Sequence, residues 1–205
     1  MEVNAPMPES PRPRRSQAER RASTRAALMT AGRELFAACG YAEAGQQEIV
    51  ERAGVTRGAL SHHFGTKHGL FRAVVESVEH ELTERIATAA LEGSDPAEHL
   101  RFGCLAFLDA ALDPAVRRIV LLDAPAVLGW QAWREMETVY GLGLVSEALE
   151  HCMEAGLLAR RPVQPLAHLL LAALNEAAML VANAEDPERT RRDVGHEVER
   201  LLASL

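Results

Sequence analysis

The stretch that most constrains this chain runs Gln46-Gln47-Glu48-Ile49-Val50-Glu51-Arg52-Ala53-Gly54-Val55-Thr56-Arg57-Gly58-Ala59-Leu60-Ser61-His62-His63-Phe64. Ile49, Val50 and Ala53 fall on one face of a short helix, Gly54 supplies the left-handed backbone that ends it, and Val55 plugs the turn. Thr56 is placed to cap a second helix whose Ala59, Leu60 and Phe64 face inward. Arg57, Gly58, Ser61, His62 and His63 are left on or near the outside. Two short helices joined in this way form a helix-turn-helix, whose second helix suits the major groove of DNA.

The flanks sharpen this reading. Phe64-Gly65-Thr66-Lys67-His68-Gly69-Leu70-Phe71 restarts a helix at once with Thr66 as its cap. Upstream, Ala26, Ala27, Leu28, Met29, Ala31, Leu35 and Phe36 mark an amphipathic helix stopped at Gly40-Tyr41. From about Ser23 to Phe71 the chain resembles the tetracycline-repressor (TetR) family of bacterial transcription regulators. It matches that family's order of helix, Gly-Tyr, helix, Ala-Gly-Val, helix, His-Phe, Lys and Leu-Phe; the remainder resembles the family only in length and helical pattern. The resemblance implies an all-α fold, with an N-terminal three-helix helix-turn-helix DNA-binding domain and a C-terminal helical effector and dimerisation domain. It also implies a homodimer bound to double-stranded operator DNA and released by a small-molecule effector. His63 and Lys67 stand at the family's phosphate-contacting positions. The chain departs from the pattern at Ala44-Gly45, where the family carries a hydroxyl residue, and at Ser61, where it carries an aromatic. Ser61 keeps one hydrogen bond but gives up the flat contact of a tyrosine.

Among the remaining candidates for DNA contact, Gln46 and Gln47 at the start of the second helix can hydrogen-bond the phosphate backbone. Thr56 and Gly58 permit close approach. Arg57 can fork onto guanine O6 and N7, or hold a phosphate instead. His62 and His63 point ~100° apart on a helix and have no Cys or carboxylate at a binding distance in sequence, so no metal and no cofactor are expected.

A net charge of -7 is unusual for a DNA binder until it is divided along the chain. Residues 1–72 carry 11 Lys+Arg against 7 Asp+Glu, or +4; residues 73–205 carry 11 against 22, or -11. A basic head on an acidic body concentrates phosphate attraction at one end. We therefore expect a disordered basic arm over residues 1–22, a DNA-binding domain over 23–72 and a sensing and dimerisation domain over 73–205. The arm's Arg12, Arg14, Arg15, Arg20 and Arg21 either track phosphates or form a solvated tail.

Beyond Phe71 every segment reads as helix. One helix runs from Lys67 to about Leu91 and another from Asp95-Pro96 to about Leu112. A third runs from Asp113-Pro114 to near Asp123-Pro125, and a long fourth from Gln131 to Ala155. The last two start at Pro165 and Pro187. These carry the expected dimer surface: Leu166, Leu170, Ala173 and Ala177 on the first, Val198 and Leu201 on the second. Phe102, Phe107, Trp130, Trp133, Met136 and Tyr140, with Asn175 and Glu176 as polar anchors, form either an effector pocket or ordinary core.

Several classes are disfavoured. There is no phosphate loop, nucleophile elbow or marked pair of carboxylates, so an enzyme is not expected. No run reaches ~18 uncharged apolar residues, the longest candidate from Leu169 to Ala182 being broken by Asn175 and Glu176, so no membrane span is expected. The N-terminus lacks the apolar stretch of a secretory signal. Cys39, Cys104 and Cys152 form no CxxC pair and suit a reducing cytoplasm as small core residues, a redox role for Cys104 or Cys152 being the alternative. The competing reading for the whole chain is a helical scaffold or protein-interaction module with a vestigial helix-turn-helix.

Overall fold

Helix α1 (Gln17–Glu43) begins at a capping box: Ser16 Oγ accepts from the Glu19 N–H at 3.1 Å, while the Glu19 carboxylate accepts from the Ser16 N–H at 2.6 Å. Two orphan donors of the first turn are thereby satisfied. The computed structural model describes residues 16–205, apart from the side chain of Glu137, and contains helices but no strand among the described residues. Helix thus starts six residues before the expected boundary at Ser23, so Arg20 and Arg21 ride on α1 rather than on an arm. Arg12, Arg14 and Arg15 lie outside the described residues.

At Gly40, φ is 80° and ψ 170°, which breaks α1 and turns its last residues toward α2 (Gln46–Arg52). After the turn come α3 (Arg57–Phe64) and α4 (Lys67–Ala90). Leu28, Phe36, Ile49, Leu60, Leu70 and Phe71 are fully buried between these four helices. Phe71 meets Phe36 edge-on at 5.1 Å between ring centres and Tyr41 at 4.9 Å. Truncating Phe71 to Ala would cost about 3–5 kcal/mol and loosen the seat of both short helices.

Val74, Val75, Val78 and Leu82 continue the apolar stripe of α4 out of this head and into the body. There it packs on α5 (Pro96–Ala110), which starts at an Asp95 cap accepting from the Glu98 N–H at 2.9 Å. The next expected helix is wound differently. Val116–Asp123 is a π-helix, here π1, and the chain runs on through α6 (Ala124–Leu128), with Pro125 tolerated in the first turn. Gly129, at φ 84°, separates it from α7 (Trp130–Glu137). A second π turn, π2 (Thr138–Leu142), joins α7 to α8 (Gly143–Glu154), so the expected single helix from Gln131 is one run of three windings.

Helices α9 (Val163–Asn183) and α10 (Pro187–Ala203) close the body. By length and composition alone α9 could cross a membrane, contrary to the reading from uninterrupted runs. Its Ala167, Leu170, Leu171, Leu174, Ala177, Ala178, Val181 and Ala182 are buried against α5, α8 and α10, the environment of a core helix. Three expected dimer residues are corrected by this packing. Leu170, Ala177 and Val198 face the subunit's own interior, because the helix periodicity that marks an apolar face cannot say which of two apolar faces points outward. Leu166 is half-buried, while Ala173 and Leu201 are exposed. Outward on α9 stand Leu169, 70% exposed, Leu180, 53% exposed, and Ala173 and Glu176 between them.

Candidate nucleic-acid interface and effector cavity

The turn between α2 and α3 is closed locally. Gly54, at φ 64°, donates its N–H to Glu51 O at 3.0 Å, and the Val55 N–H reaches back to Val50 O at 3.0 Å. Thr56 Oγ1 then accepts from the Ala59 N–H at 3.2 Å and starts α3. With Leu60 held in the core, Arg57, Gly58, Ser61 and His62 stand exposed, along with Thr56. A Cβ at Gly58 would meet nothing nearer than Thr56 Oγ1 at 3.7 Å, so nothing inside the protein demands glycine there. On α2, Gln46 is half-buried and Gln47 is exposed, its amide donating to Glu51 Oε1 at 2.6 Å. Gly45 caps α2 with no side-chain hydrogen bond and Ala44 is fully buried, so neither residue offers a hydroxyl at the start of α2.

His63 is half-buried, and its pKa lies below the ordinary histidine value. Burial is the main cause, followed by the neighbouring His62, Arg21 and Arg25. A neutral imidazole beside two guanidinium groups leaves one N–H to offer a phosphate. The Arg25 guanidinium lies over the Phe64 ring, 5.2 Å from its centre, so the basic surface extends from α3 onto α1. The sequence reading placed Arg21 in an arm and did not single out Arg25; their i, i+4 spacing was the available signal.

Lys67 is largely engaged within the protein. Its Nζ donates to Tyr41 O at 2.9 Å and Ala44 O at 3.0 Å, and sits 4.3 Å from the centre of the Tyr41 ring. The break at Gly40 leaves carbonyls without helical partners, and an ammonium with three donors is suited to gathering them. One donor remains for a phosphate. Thr66 caps α4 through the Gly69 N–H at 3.1 Å, and Gly69 is required because a Cβ there would strike the Phe64 carbonyl.

In the body, a cavity of about 120 Å³ opens between α4, α5, π2, α8 and α9. Of the eight residues expected to line a pocket, it takes Phe107 and Tyr140. Phe102 lies ~140° around α5 from Phe107 and instead carries the Arg101 guanidinium at 4.3 Å. Trp130 and Trp133 lie against each other at 5.0 Å with their planes tilted by 44°, Trp130 being largely exposed; Trp133 and Met136 are buried outside the cavity. Glu176 projects from the exposed face of α9, and Asn175, half-buried, is not in the cavity wall.

His99, which the sequence leaves as a surface or pocket-lining group, is in the wall, together with two polar groups the sequence reading missed, Glu79 and Thr83. Glu79 had a signal, since Val75, Val78, Glu79 and Leu82 fall at i, i+3, i+4 and i+7, which puts a carboxylate on an apolar stripe. Cys104 also lines the cavity; burial, aided by the nearby Cys152, pushes its thiol up to about 12, so it remains protonated and unreactive. A larger cleft of about 330 Å³ lies between the start of α5 and the end of α10. Its charged rim is already engaged, with Arg101 and Glu199 paired at 2.9 Å.

Residues 28–74 match the family model described as bacterial regulatory proteins, tetR family, and residues 97–205 match the tetracyclin repressor-like C-terminal domain. A crystallised TetR-family transcriptional regulator from Pectobacterium atrosepticum is 35% identical, superposes with a TM-score of 0.82, and is covered over 97% of its length by 93% of this chain. RolR in complex with resorcinol shares the fold, at a TM-score of 0.69 and 20% identity over 90% of each chain. Among curated relatives, the transcriptional regulator TtgR of Pseudomonas putida is 36% identical over 102 residues, 47% of each chain. The transcriptional activator FasR of Mycolicibacterium smegmatis is 35% identical over 85 residues, 42% of this chain and 39% of that one. The chain thus spans less than half the length of these two curated relatives.

Proposed function

Because this chain belongs to the TetR family of helix-turn-helix transcription regulators, we propose that its homodimer represses transcription by holding operator DNA through α2 and α3. A small molecule entering the cavity releases it. The observation that carries this reading is the course of α4. Its first turns, with Leu70 and Phe71, seat the helix-turn-helix. Its later turns, from Glu79 through Ala90, form one wall of the cavity. One continuous helix therefore carries any displacement at the cavity wall to the base of α3.

In this reading Arg57 reads a base, and Gln46, Gln47, Thr56, Gly58, Ser61, His62 and His63 lie against the duplex, joined by Arg21 and Arg25 from α1. Lys67 contributes mainly by holding the end of α1. The working division into DNA-binding and sensing parts stays near residue 72, although α4 crosses it without a break. Dimerisation uses the outward faces of α9 and α10, centred on Leu169, Ala173, Leu180 and Leu201. Two-fold symmetry then sets the two recognition helices ~34–36 Å apart on successive major grooves. An effector that favours another spacing lowers operator affinity, and operator lowers effector affinity by the same coupling free energy. The protein acts by binding rather than catalysis, and does so in the cytoplasm, where the chromosome is.

Selection from a library of duplexes at two salt concentrations tests this. The expected result is an enriched palindromic site whose occupancy falls steeply as salt rises. If no palindrome is enriched at either salt concentration, the scaffold reading replaces this one.

A further inference from the structure

Gly103 stands inside α5 in the wall of the cavity, and nothing in its own surroundings demands a glycine. Its φ is not positive. A Cβ there would meet Ile86 Cγ2 at 3.6 Å and Ala90 Cβ at 3.7 Å, both ordinary contacts. Glycine within a helix is less favourable than alanine, so the position gives up helix stability with no gain in packing. What it leaves is space. Gly141, also in the wall, is the contrast: a Cβ there would press on Leu171 Cδ1 at 3.2 Å, so that glycine serves packing. The rest of the wall is mostly hydrocarbon, from Leu82, Ile86, Leu100, Phe107, Leu144 and Leu174, and among its described residues there is no Lys or Arg. Three of its polar residues are already engaged within the protein. Thr83 Oγ1 donates to Glu79 O at 2.8 Å, His99 Nε2 lies 3.1 Å from Gly93 O, and Glu79 has an interaction of its own.

We propose that this cavity takes an uncharged, hydrocarbon-rich molecule of about one ring, and that Gly103 keeps the room for it. The proposal rests on the effector role of the cavity given above and adds the ligand's chemical class and a residue that sets its size. Size follows from volume: about 120 Å³ is close to the ~150 Å³ apolar cavity that accommodates benzene. Neutrality follows from the wall. A carboxylate or phosphate ester would shed its water and find no Lys or Arg. An ammonium would shed its water to compete for groups that already have partners. A neutral ring loses only weakly held water and gains the apolar wall together with the rings of Phe107 and Tyr140. A methyl group at position 103 would fill part of the same volume while favouring the helix, so Gly103→Ala should exchange binding for stability.

Three single-ring ligands that differ in charge decide the class: toluene, benzylamine and benzoate, titrated calorimetrically into the full-length protein at neutral pH. Toluene is expected to bind about tenfold or more tightly than either ion, as burial of an unpaired charge requires. Gly103→Ala, titrated with toluene and melted without ligand, decides the role of the residue. It is expected to bind toluene about fivefold or more weakly, through overpacking of the site, while melting at the parent's temperature or above it. Either ion binding as tightly as toluene overturns the neutral class and leaves the cavity as an effector site. Binding of none of the three overturns the class and the effector role together, while operator selection reports on DNA binding separately. A Gly103→Ala protein with the parent's affinity for toluene overturns the role of Gly103. So does one that melts lower or does not fold, because packing would then be what the glycine serves. The ligand series uses the unaltered protein and decides the class in either case.

Discussion

The main-chain N–H of Tyr41 donates to Asp123 Oδ2 at 2.6 Å, which ties the end of α1 in the DNA-binding head to the last residue of π1 in the body. Arg118 completes the link. Its Nε lies 3.3 Å from the same carboxylate, and its guanidinium packs against Gly40, whose φ of 80° favours glycine. Head and body are therefore joined through the length of α4 and, alongside the packing of α1 on π1 and the His68–Val127 contact, through this link.

Breaking that link should separate stability from coupling. Asp123→Ala leaves a half-buried N–H without its carboxylate and should destabilise the protein by about 1–3 kcal/mol in denaturant titrations. Asp123→Asn keeps an acceptor and should lose less. If both variants unfold at the denaturant concentration of the parent, the contact contributes nothing to holding the head.

Arg57→Ala should weaken binding to the preferred operator by ~1–3 kcal/mol and relax discrimination at one base pair per half-site. Fluorescence anisotropy with single-base operator variants measures this. A loss of equal size on every variant would instead assign Arg57 to a phosphate.

Leu169→Glu and Leu180→Glu should give a folded monomer in sedimentation, since each would place an unpaired carboxylate in the interface at a cost of several kcal/mol. Leu170→Ala, one residue along α9, is the contrast: it should lower stability by about 2–5 kcal/mol through an internal cavity. An intact dimer for both glutamate variants would move the interface off this face.

The depressed pKa of His63 carries a definite sign. Folding disfavours its charged form, so it contributes nothing to the pH dependence well above the unfolded value of about 6.5. As pH falls below that value the unfolded chain takes up the proton first, and stability declines until the folded imidazole also protonates. DNA affinity should move the opposite way, because the protonated ring adds a positive charge beside Arg21 and Arg25 where phosphates approach. His63→Gln should flatten both trends between pH 7 and 5. Unchanged trends in that variant would assign them to other groups.

Much of the head was legible because its structure is set by neighbours in sequence. Thr56 and Thr66 cap helices through N–H groups three residues on, Gly54 takes the positive φ its turn needs, and Leu60 falls inward while Arg57 and Ser61 fall outward by helix period alone. The helical character of the body was legible for the same reason, with Asp95-Pro96 and Asp186-Pro187 marking two of its starts.

What only the tertiary structure decided was the choice among faces. On α9 both sides are apolar, so periodicity could not tell buried Leu170 from exposed Leu169; packing against α5, α8 and α10 did. Phe102 and Phe107 share a helix but not a side, and the π turns, which carry extra residues per turn, shift the register of the tryptophans relative to Tyr140. Lys67 spends two of its three donors inside the protein because a break at Gly40, far along the chain, exposes carbonyls within its reach. A chain's own neighbours determine where a helix begins, ends and turns polar; which of its sides meets solvent, a cavity or a second subunit depends on the angles at which distant helices cross, and those are set only when the whole core packs.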